Sequence, residues 1–312
     1  MAQPDISLLI PAHNEGARTA NTILSIARSR TTGARLEFVV VDDGSTDDSV
    51  AQFAAMVPQL LEQRHIDVKV CRCEENGGNY EARNEAARHA TAPILFITDA
   101  HVEFCDGWDE LVFENLRPNR ILAGTTTQKD AAFRGYGCQL LIPLMDTWWN
   151  KRLAGETAPV QIAACSATVI SADLFRRLGG YDTGMLFYGG GEPEFSVRAW
   201  LEGAEVHAVR ALEVRHEFRT GDQLMSFMQR IRPYRLHNSI RFGLLYLSEA
   251  GCLQLLRYFA LTAGQLYPRA LDLIARSDVF ERRAQLEKRR ERTFPWFLDY
   301  FGIRNQIGDA VL

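Results

Sequence analysis

The sequence predicts an α/β fold with a largely parallel sheet, and two observations carry this prediction. In the first third of the chain, short apolar runs typical of buried strands alternate with segments whose apolar residues recur at helical spacing. Each of these strands is followed by an acidic, polar or glycine-rich turn, which is where open α/β sheets bind ligands. The 312 residues, 46% of them hydrophobic, suffice for one large domain or two smaller ones.

The elements of this first part can be assigned in order. Strands are predicted at Ile6–Ile10, Leu36–Val41, Asp67–Arg72 and Ile94–Ile97, and helices between them at Thr19–Ser29, Ser49–Leu61 and Tyr80–His89. This alternation indicates βαβ units, whose strands pair in parallel. The turns Pro11–Gly16, Asp42–Asp48 and Glu75–Asn79 then lie at the carboxyl edge of the sheet, where ligands bind.

The turn after the fourth strand contains Asp99 and His101 with one residue between them. In extended backbone, residues i and i+2 point the same way, so this carboxylate and this imidazole can converge on one cation. Oxygen and imidazole ligands suit a divalent metal such as Mn²⁺. Taken alone, the pair is better explained as a polar strand end followed by a capped turn.

Two earlier turns each allow a structural and a ligand-binding interpretation. Asp42 and Asp43 either cap a tight turn or hold a nucleoside through hydrogen bonds to ribose or base. The glycines 77 and 78 either form a bend or let the backbone approach a phosphate, with Arg83 one helical turn further supplying charge. The chain has no dinucleotide-binding glycine fingerprint after the first strand and no phosphate-binding Gly-Lys-Ser/Thr loop.

Composition narrows the class of protein. The net charge of −4 provides no basic field, so nucleic acid is not expected as a partner. The six cysteines are scattered without a C-x-x-C pair, which favours a reducing, cytoplasmic location. No signal-peptide core and no apolar run of transmembrane length is present, so we expect no membrane-spanning segment.

The second half begins with two strand-like stretches, at 120–135 and Gln161–Ser171. Between them, Trp148 and Trp149 are either sugar-stacking residues or part of the core. Three glycines at 189–191 then give a flexible backbone that can close over a substrate.

Glu192 and Glu194 open a helix that is predicted to end at Leu201. Carboxylates are favoured at a helix N-terminus, which is one explanation for the pair. The other explanation is contact with an acceptor hydroxyl.

The remaining segments allow several interpretations. His216 is a lone histidine after the strand-like Val206–Val214, and Thr220–Arg232 is predicted to be a polar lid. Helical patterns follow. The basic stretch Glu281–Arg292 is best explained as a solvated helix face, and contact with an anionic acceptor or membrane surface is the alternative. The aromatic Phe294–Phe301 is a docking surface, a self-association patch or core closure.

Blocks of this sequence resemble family-2 glycosyltransferases, which have the GT-A fold. The donor-half blocks are Leu8–Glu15, Val39–Asp47, Asn76–Gly78 and Ala82–Asn84. Further blocks resemble polypeptide N-acetylgalactosaminyltransferases: Thr98–Glu103 with Gly107-Trp108, Gly179–Met185, Gly190–Glu192, Phe195–Trp200, Val214–Arg219 and His237–Arg241. These blocks keep the family's order over residues 5–247, with one residue fewer between Glu192 and Glu194. We expect neither a lectin domain after them nor a membrane anchor before them.

The resemblance implies a metal-dependent glycosyltransferase. Such an enzyme moves a sugar from a nucleotide sugar, in the first place a UDP-sugar such as UDP-GalNAc or UDP-GlcNAc, to a hydroxyl on a peptide, glycan or small molecule. The implied ligands of Mn²⁺ or Mg²⁺ are Asp99, His101 and His216. The implied donor-binding residues are Pro11, Ala12, His13, Glu15, Asp42, Asp43, Gly78, Arg83 and Asp99.

The resemblance also bears on catalysis and on domain organisation. Glu192 aligns with the general base of inverting family-2 enzymes and with a substrate-binding residue of retaining relatives, and Glu194 is the second candidate. The implied catalytic domain spans residues 1–247, with a donor half at about 1–105 and an acceptor half at about 106–247. A helical C-terminal extension, 248–312, provides helices through which the protein can self-associate.

Two other functions remain open at this stage. A nucleotidyltransferase or phosphotransferase on a similar sheet is disfavoured because the chain has no phosphate-cradling lysine loop. A non-catalytic sugar- or nucleotide-binding module that kept the fold predicts metal-independent binding and no turnover.

Overall fold

A computed structural model describes residues 3–49, 51–55, 65–128, 132–164 and 166–305. Its strands are β1 (Ile6–Ala12), β2 (Leu36–Asp43), β3 (Ile66–Cys73), β4 (Ile94–Ile97), β5 (Val102–Phe104), β6 (Arg120–Gln128), β7 (Arg134–Tyr136), β8 (Cys138–Leu141), β9 (Asp146–Trp149), β10 (Thr157–Pro159), β11 (Thr168–Ser171) and β12 (Glu205–His216). Its helices are α1 (Arg18–Ser29), α2 (Asn79–His89), α3 (Trp108–Asn115), α4 (Ala172–Leu178), α5 (Gly191–Leu201), α6 (Gly221–Tyr246), α7 (Glu249–Thr262), α8 (Leu266–Ala275), α9 (Val279–Arg289) and α10 (Phe294–Phe301).

One mixed sheet organises the molecule, in the order β10-β12-β6-β11-β4-β1-β2-β3. The four predicted strands form its parallel part: β1 pairs in parallel with β2 and β4, and β2 with β3. Beyond β4 the sheet is mixed, because β11 runs antiparallel to both β4 and β6. The short β5 pairs with the end of β12, and β8 with β9 forms a separate hairpin. The predicted α/β class is therefore confirmed.

The apolar runs form strands because both faces of the sheet are covered. Leu8, Leu9 and Ile10 of β1 are completely buried. Leu9 packs in one apolar layer with Tyr80, whereas its two neighbours pack in the opposite layer with Trp108. Alternate residues of the strand thus pack into apolar cores on opposite faces of the sheet. This explains why the apolar pattern is continuous rather than alternating.

Two sequence predictions need correction. The stretch 120–135 contains β6 and β7 as an antiparallel pair rather than one strand. Among the described residues of Gln161–Ser171, which omit residue 165, only β11 is a strand. The segment Thr220–Arg232 is largely the beginning of α6, a helix of 26 residues, and its role as a lid stays a prediction. Most of the predicted helix Ser49–Leu61 lies outside the described residues. The described part at 51–55 is helical.

The C-terminal part is helical, as predicted, and packs on the preceding domain. Helices α8 and α9 contact α6, and α10 contacts α5. In α10, the side chains of Phe294, Phe297 and Leu298 are buried, and Trp200 of α5 packs against Tyr300. The aromatic segment therefore closes a core, and self-association stays a prediction. None of the described helices is both long and apolar enough to cross a membrane.

Candidate active site

A cleft opens at the carboxyl edge of β1, β2 and β4, which are neighbouring parallel strands. The ends of β1 and β2 and the turns after β1, β3 and β4 bring many of the predicted site residues into its wall: Pro11, Ala12, His13, Glu15, Asp43, Gly78, Asp99 and His101. His216 reaches the same cleft from the end of β12. Residues from distant parts of the sequence therefore meet at the edge that the sheet topology predicts for ligands.

Asp99, His101 and His216 form one cluster, in which the candidate ligand atoms all lie within 4.8 Å of one another. The pairing of β5 with β12 brings them together, since His216 lies opposite Val102. The N–H of Glu217 also donates to the carbonyl oxygen of His101 over 3.1 Å. His216 Nε2 lies 3.4 Å from Asp99 Oδ2. The structure thus supports the predicted grouping of these three residues.

The charges around the cluster favour an ionised Asp99. Burial raises the pKa of this carboxyl, but the hydrogen bond from His216 and the charge of Arg83 outweigh burial and hold the pKa below its ordinary value. Burial lowers the pKa of His101, but the hydrogen bond and charge of Glu15 outweigh it and raise the pKa. The centre therefore carries a negative carboxylate beside two imidazole rings.

The chemistry of this donor set fits a divalent cation. One carboxylate and two imidazoles suit Mn²⁺. Glu15 Oε2 lies 3.1 Å from His101 Nδ1, and a carboxylate there favours a proton on Nδ1, so that Nε2 would be the nitrogen available to a metal ion. Within the described ranges, the buried Nδ1 of His216 has no hydrogen-bond partner. Glu15, predicted to bind the nucleotide, thus contacts a candidate metal ligand directly.

Arg83 connects the cluster to the predicted catalytic carboxylate. Its guanidinium is completely buried and donates to Asp99 Oδ1 over 2.9 Å and to Glu192 Oε1 over 2.6 Å. The Tyr80 hydroxyl donates to the other oxygen of Glu192 over 2.9 Å. Burial and the charge of Glu192 raise the pKa of Tyr80 well above its ordinary value, so this hydroxyl stays a donor. Both oxygens of Glu192 are thereby held in place.

Two glycines are required for this arrangement. Gly191 lies against the ring of Tyr80, where an added Cβ would come within 2.3 Å of Cε1. Gly78 has φ +92°, and an added Cβ would come within 2.6 Å of the Phe187 Cα atom. The second contact joins the donor half to the loop before α5, because the Asn79 N–H donates to the Phe187 carbonyl over 3.1 Å.

The glycine-rich loop before Glu192 is anchored. Asn238 of α6 is fully buried, donates to the carbonyl of Leu186 over 2.8 Å and accepts from the N–H of the same residue over 2.8 Å. Arg241, one helical turn further, forms a two-pronged ion pair with Asp182 at 2.8 and 3.0 Å. The structure thus ties the flexible backbone expected at 189–191 to α6.

The structure places three of the predicted site residues outside the wall of this cleft. The guanidinium of Arg83 is paired with the carboxylates of Asp99 and Glu192, and its role at a phosphate stays a prediction. Asp42 also lies outside the cleft, where it accepts from the Ser45 N–H over 3.0 Å. Glu194 is completely buried in a two-pronged pair with Arg198, at 2.9 and 2.8 Å, which argues against a catalytic role.

Asp43 combines both interpretations that the sequence allowed. Its oxygens accept from the N–H groups of Gly77 and Gly78 over 2.8 and 2.9 Å, so it shapes the following turn. Burial outweighs these hydrogen bonds and raises its pKa. It also lines the cleft, beside His13, whose Nδ1 lies 2.7 Å from the Asp43 carbonyl oxygen.

Sequence reasoning missed several residues of the cleft. These are Asn76, Asn79, Phe187, Tyr188, Arg219, Phe227 and Arg230. Arg219 and Arg230 supply positive charge, and Arg219 stacks over the Phe227 ring at 4.4 Å. The position of Arg219 in the block Val214–Arg219, shortly after His216, could have identified it as a cleft residue. No sequence feature identified Arg230, because this segment was not recognised as a helix.

A second cavity, of about 500 Å³, adjoins the first on the side of Glu192. Tyr188, His216, Arg219 and Phe227 belong to the walls of both, so the two form one continuous cleft. Glu192 lines only the second part, at the junction. A donor placed at the metal cluster would therefore face an acceptor placed in the second cavity.

The mixed sheet with its cleft defines a GT-A fold. The glycosyl transferase family 2 model matches residues 7–179, more than half of the chain, and the chain belongs to this family. Human polypeptide N-acetylgalactosaminyltransferase 18 is 25% identical over 95% of this chain and 50% of its own length. Drosophila melanogaster polypeptide N-acetylgalactosaminyltransferase 8 is 31% identical over 70% of this chain and 39% of its own length. The chain thus spans about half the length, or less, of these relatives.

Solved structures agree on the fold. The structure of GalNAc-T7 with UDP, GalNAc and Mn²⁺ superposes with a TM-score of 0.72 at 18% identity, over 96% of this chain and 57% of that chain. The mannosyltransferase PcManGT from Pyrobaculum calidifontis, in complex with GDP-Man and Mn²⁺, gives a TM-score of 0.54 at 17% identity, over 92% and 86% of the two chains. At these identities the likeness extends to the fold.

Proposed function

We propose that this protein is a metal-dependent glycosyltransferase that moves a sugar from a UDP-sugar to a hydroxyl acceptor. One observation carries the proposal: the Asp99, His101 and His216 cluster is joined through the buried Arg83 to Glu192, at the junction of two adjoining cavities. A transferase needs this arrangement, because donor activation and acceptor delivery must occur at neighbouring points.

The first cavity would hold the nucleotide. Pro11, Ala12 and His13 form the wall next to Asp43, and the turn at Gly78 closes it. Bound at the cluster, Mn²⁺ or Mg²⁺ would neutralise the departing diphosphate. The guanidinium of Arg219 lines both cavities and is positioned to add positive charge beside it. UDP is favoured by the sequence similarity to GalNAc-transferases and by the fold shared with the UDP-bound GalNAc-T7 structure.

Glu192 would orient substrate rather than act as a general base. Its two oxygens already accept hydrogen bonds from Arg83 and Tyr80. An orienting carboxylate leaves the acceptor proton to the departing phosphate, and this route retains the anomeric configuration. Proton NMR of the product tests this point, since an inverted anomeric centre would assign the base role to Glu192 instead.

The acceptor is proposed only as a hydroxyl compound, because the named relatives that act on polypeptides are about twice as long as this chain or longer. A non-catalytic binding module is the second candidate, but it would not require the metal cluster to be linked to Glu192. The cytoplasmic location and the domain boundary at residue 247 stay predictions.

A panel of nucleotide sugars tests the proposal. The protein is incubated with UDP-GalNAc, UDP-GlcNAc, UDP-Gal and GDP-mannose in the presence of Mn²⁺, and the released nucleoside diphosphate is measured. We expect slow UDP release with at least one UDP-sugar and none after a chelator is added. Metal-independent binding of all donors without release would support the binding-module alternative.

A further inference from the structure

The second cavity has an apolar side that faces ligand space rather than the core. On α6, the side chains Leu224, Phe227, Met228 and Ile231 follow the spacing i, i+3, i+4, i+7 and all line this cavity. Leu224 is 40% exposed at the mouth, and Ile231 is completely buried at the floor. An amphipathic helix normally turns such a stripe toward a packed core. Here the stripe forms one wall of an open space.

The opposite wall is also apolar. Trp149 of β9 lines the cavity and packs edge-to-face against Phe133 at 5.5 Å, and Phe133 packs in the same way against Phe218 at 5.5 Å. Ala163 and Ala164 contribute small side chains to the lining. The result is a slot between Trp149 with its aromatic neighbours and the apolar stripe of α6.

Four polar side chains of the slot are hydrogen-bonded in two pairs, and the charged Glu192 and Arg219 lie where the slot meets the first cavity. Thr126 and Ser166 share a hydrogen bond of 2.6 Å between their hydroxyl oxygens. Asp146 accepts from Arg235 over 2.7 Å, which links the β8–β9 hairpin to α6. Side chains that are already paired offer fewer hydrogen bonds to a polyhydroxylated acceptor. An apolar group does not need these hydrogen bonds.

We propose, resting on the function proposed above, that the acceptor is an alcohol carrying an apolar alkyl or aryl body, which fills this slot. Three observations support this occupant: the slot is continuous with the donor cavity, it ends at Glu192, and its volume of about 500 Å³ suits a small molecule. The hydroxyl then lies at Glu192 and the body lies between Trp149 and the α6 stripe. In the transfer, the acceptor oxygen bonds to the anomeric carbon as the bond to the diphosphate breaks, and the hydroxyl proton leaves on the diphosphate.

A homologous series of alcohols tests the slot. The full chain, loaded with Mn²⁺ and the UDP-sugar that it hydrolyses, is given ethanol, 1-butanol and 1-hexanol, with glycerol and a Ser/Thr-containing peptide as polar competitors. Each added methylene should raise kcat/KM up to about fourfold until the slot is full. A flat series, or preferential use of glycerol or of the peptide, would overturn the proposal.

Matched variants locate the effect. Leu224→Asn places an amide in the slot, and Leu261→Asn makes the same change at a position of α7 that is 88% exposed. The ratio of kcat/KM for 1-hexanol to that for ethanol should fall about tenfold in Leu224→Asn and stay unchanged in Leu261→Asn. This ratio is insensitive to the fraction of folded enzyme. Equal ratios in both variants and the wild type would contradict the assignment.

Failure of the proposed function is distinguishable from failure of this inference. If the UDP-sugar is hydrolysed to UDP but no alcohol is glycosylated, the result supports donor activation and refutes the apolar acceptor. If no donor is turned over, equilibrium dialysis with 4-nitrobenzyl alcohol still tests the slot. Binding that weakens in Leu224→Asn but not in Leu261→Asn supports an apolar ligand there, and equal binding by both variants refutes it.

Discussion

Replacing Arg83 by lysine tests the link between the metal cluster and Glu192. Arg83 donates from Nη2 to Asp99 and from Nη1 to Glu192, at 2.9 and 2.6 Å, so one rigid fork spaces two carboxylates. Lysine keeps the positive charge but presents a single ammonium on a flexible stem. Charge neutralisation is therefore retained, and the fixed spacing between the two carboxylates is lost.

The size of the effect follows from these contacts. A hydrogen bond to a charged group contributes about 1.5–3 kcal/mol, and lysine can satisfy one of the two carboxylates well. The loss of one such bond from the organised site corresponds to a reduction of about 10- to 150-fold in kcat/KM. Since Arg83 is completely buried, part of this loss will also lower the free energy of unfolding.

The assay measures Mn²⁺-dependent UDP release and thermal unfolding in parallel. Arg88→Lys is the matched control, because Arg88 lies on the same helix with its side chain 67% exposed and paired to Glu85. We expect turnover to fall in Arg83→Lys and to stay at the wild-type level in the control. A folded Arg83→Lys protein with wild-type turnover would show that spacing of the two carboxylates is irrelevant.

Three further predictions follow from the contacts of single residues. Glu192→Gln should reduce turnover about 100-fold with little change in UDP affinity. Glu194→Gln should mainly lower the unfolding temperature, since Glu194 is buried against Arg198. The reverse pattern would exchange the roles of the two glutamates. Gly78→Ala should lower the free energy of unfolding, measured by chemical denaturation, by about 1–3 kcal/mol because φ is +92°. Gly33→Ala, where an added Cβ has no neighbour within 4 Å, should lower it little. Equal losses in the two variants would refute the strain argument. Glu37 has a pKa below its ordinary value of 4.5 because the hydrogen bonds from Lys69, Ser7 and Thr91 outweigh burial. A carboxyl whose pKa is lower in the folded state stabilises the protein at pH values above its unfolded pKa. The difference in free energy of unfolding between wild type and Glu37→Gln, about 1–3 kcal/mol at neutral pH, should therefore shrink as pH falls below about 4.5. A difference that is constant down to pH 3 would contradict this.

The parallel part of the fold was predictable because its signals are local. Continuous apolar runs such as Leu8–Ile10 require two covered faces, and the turns behind them identify the ligand edge. The pair Asp99 and His101 was visible for the same reason. Their proximity to His216 depends on the pairing of β5 with β12, which the residues alone do not reveal. His216 was predicted as the third ligand only through the family resemblance.

The sequence was less informative where tertiary contacts decide between local alternatives. Arg83 was expected at a phosphate, and its pairing with the carboxylates of Asp99 and Glu192 was not predicted. The segment at the start of α6 was interpreted as a lid because of its polar composition, and its helical structure was not predicted. Neither the cleft-facing stripe nor Arg230 could be identified until that helix was known.

The most direct test of the account is to count bound Mn²⁺ and measure UDP affinity in variants of the two histidines. Electron paramagnetic resonance reports the free ion, and calorimetry reports UDP binding with and without it. We predict one tightly bound ion with UDP in the wild type and its loss in His101→Ala and in His216→Ala. His207→Ala, on the same strand as His216 but paired with Glu205 at 2.9 Å, should bind like the wild type. Undiminished Mn²⁺-dependent UDP binding in both cluster variants would contradict the metal centre on which the proposed function depends.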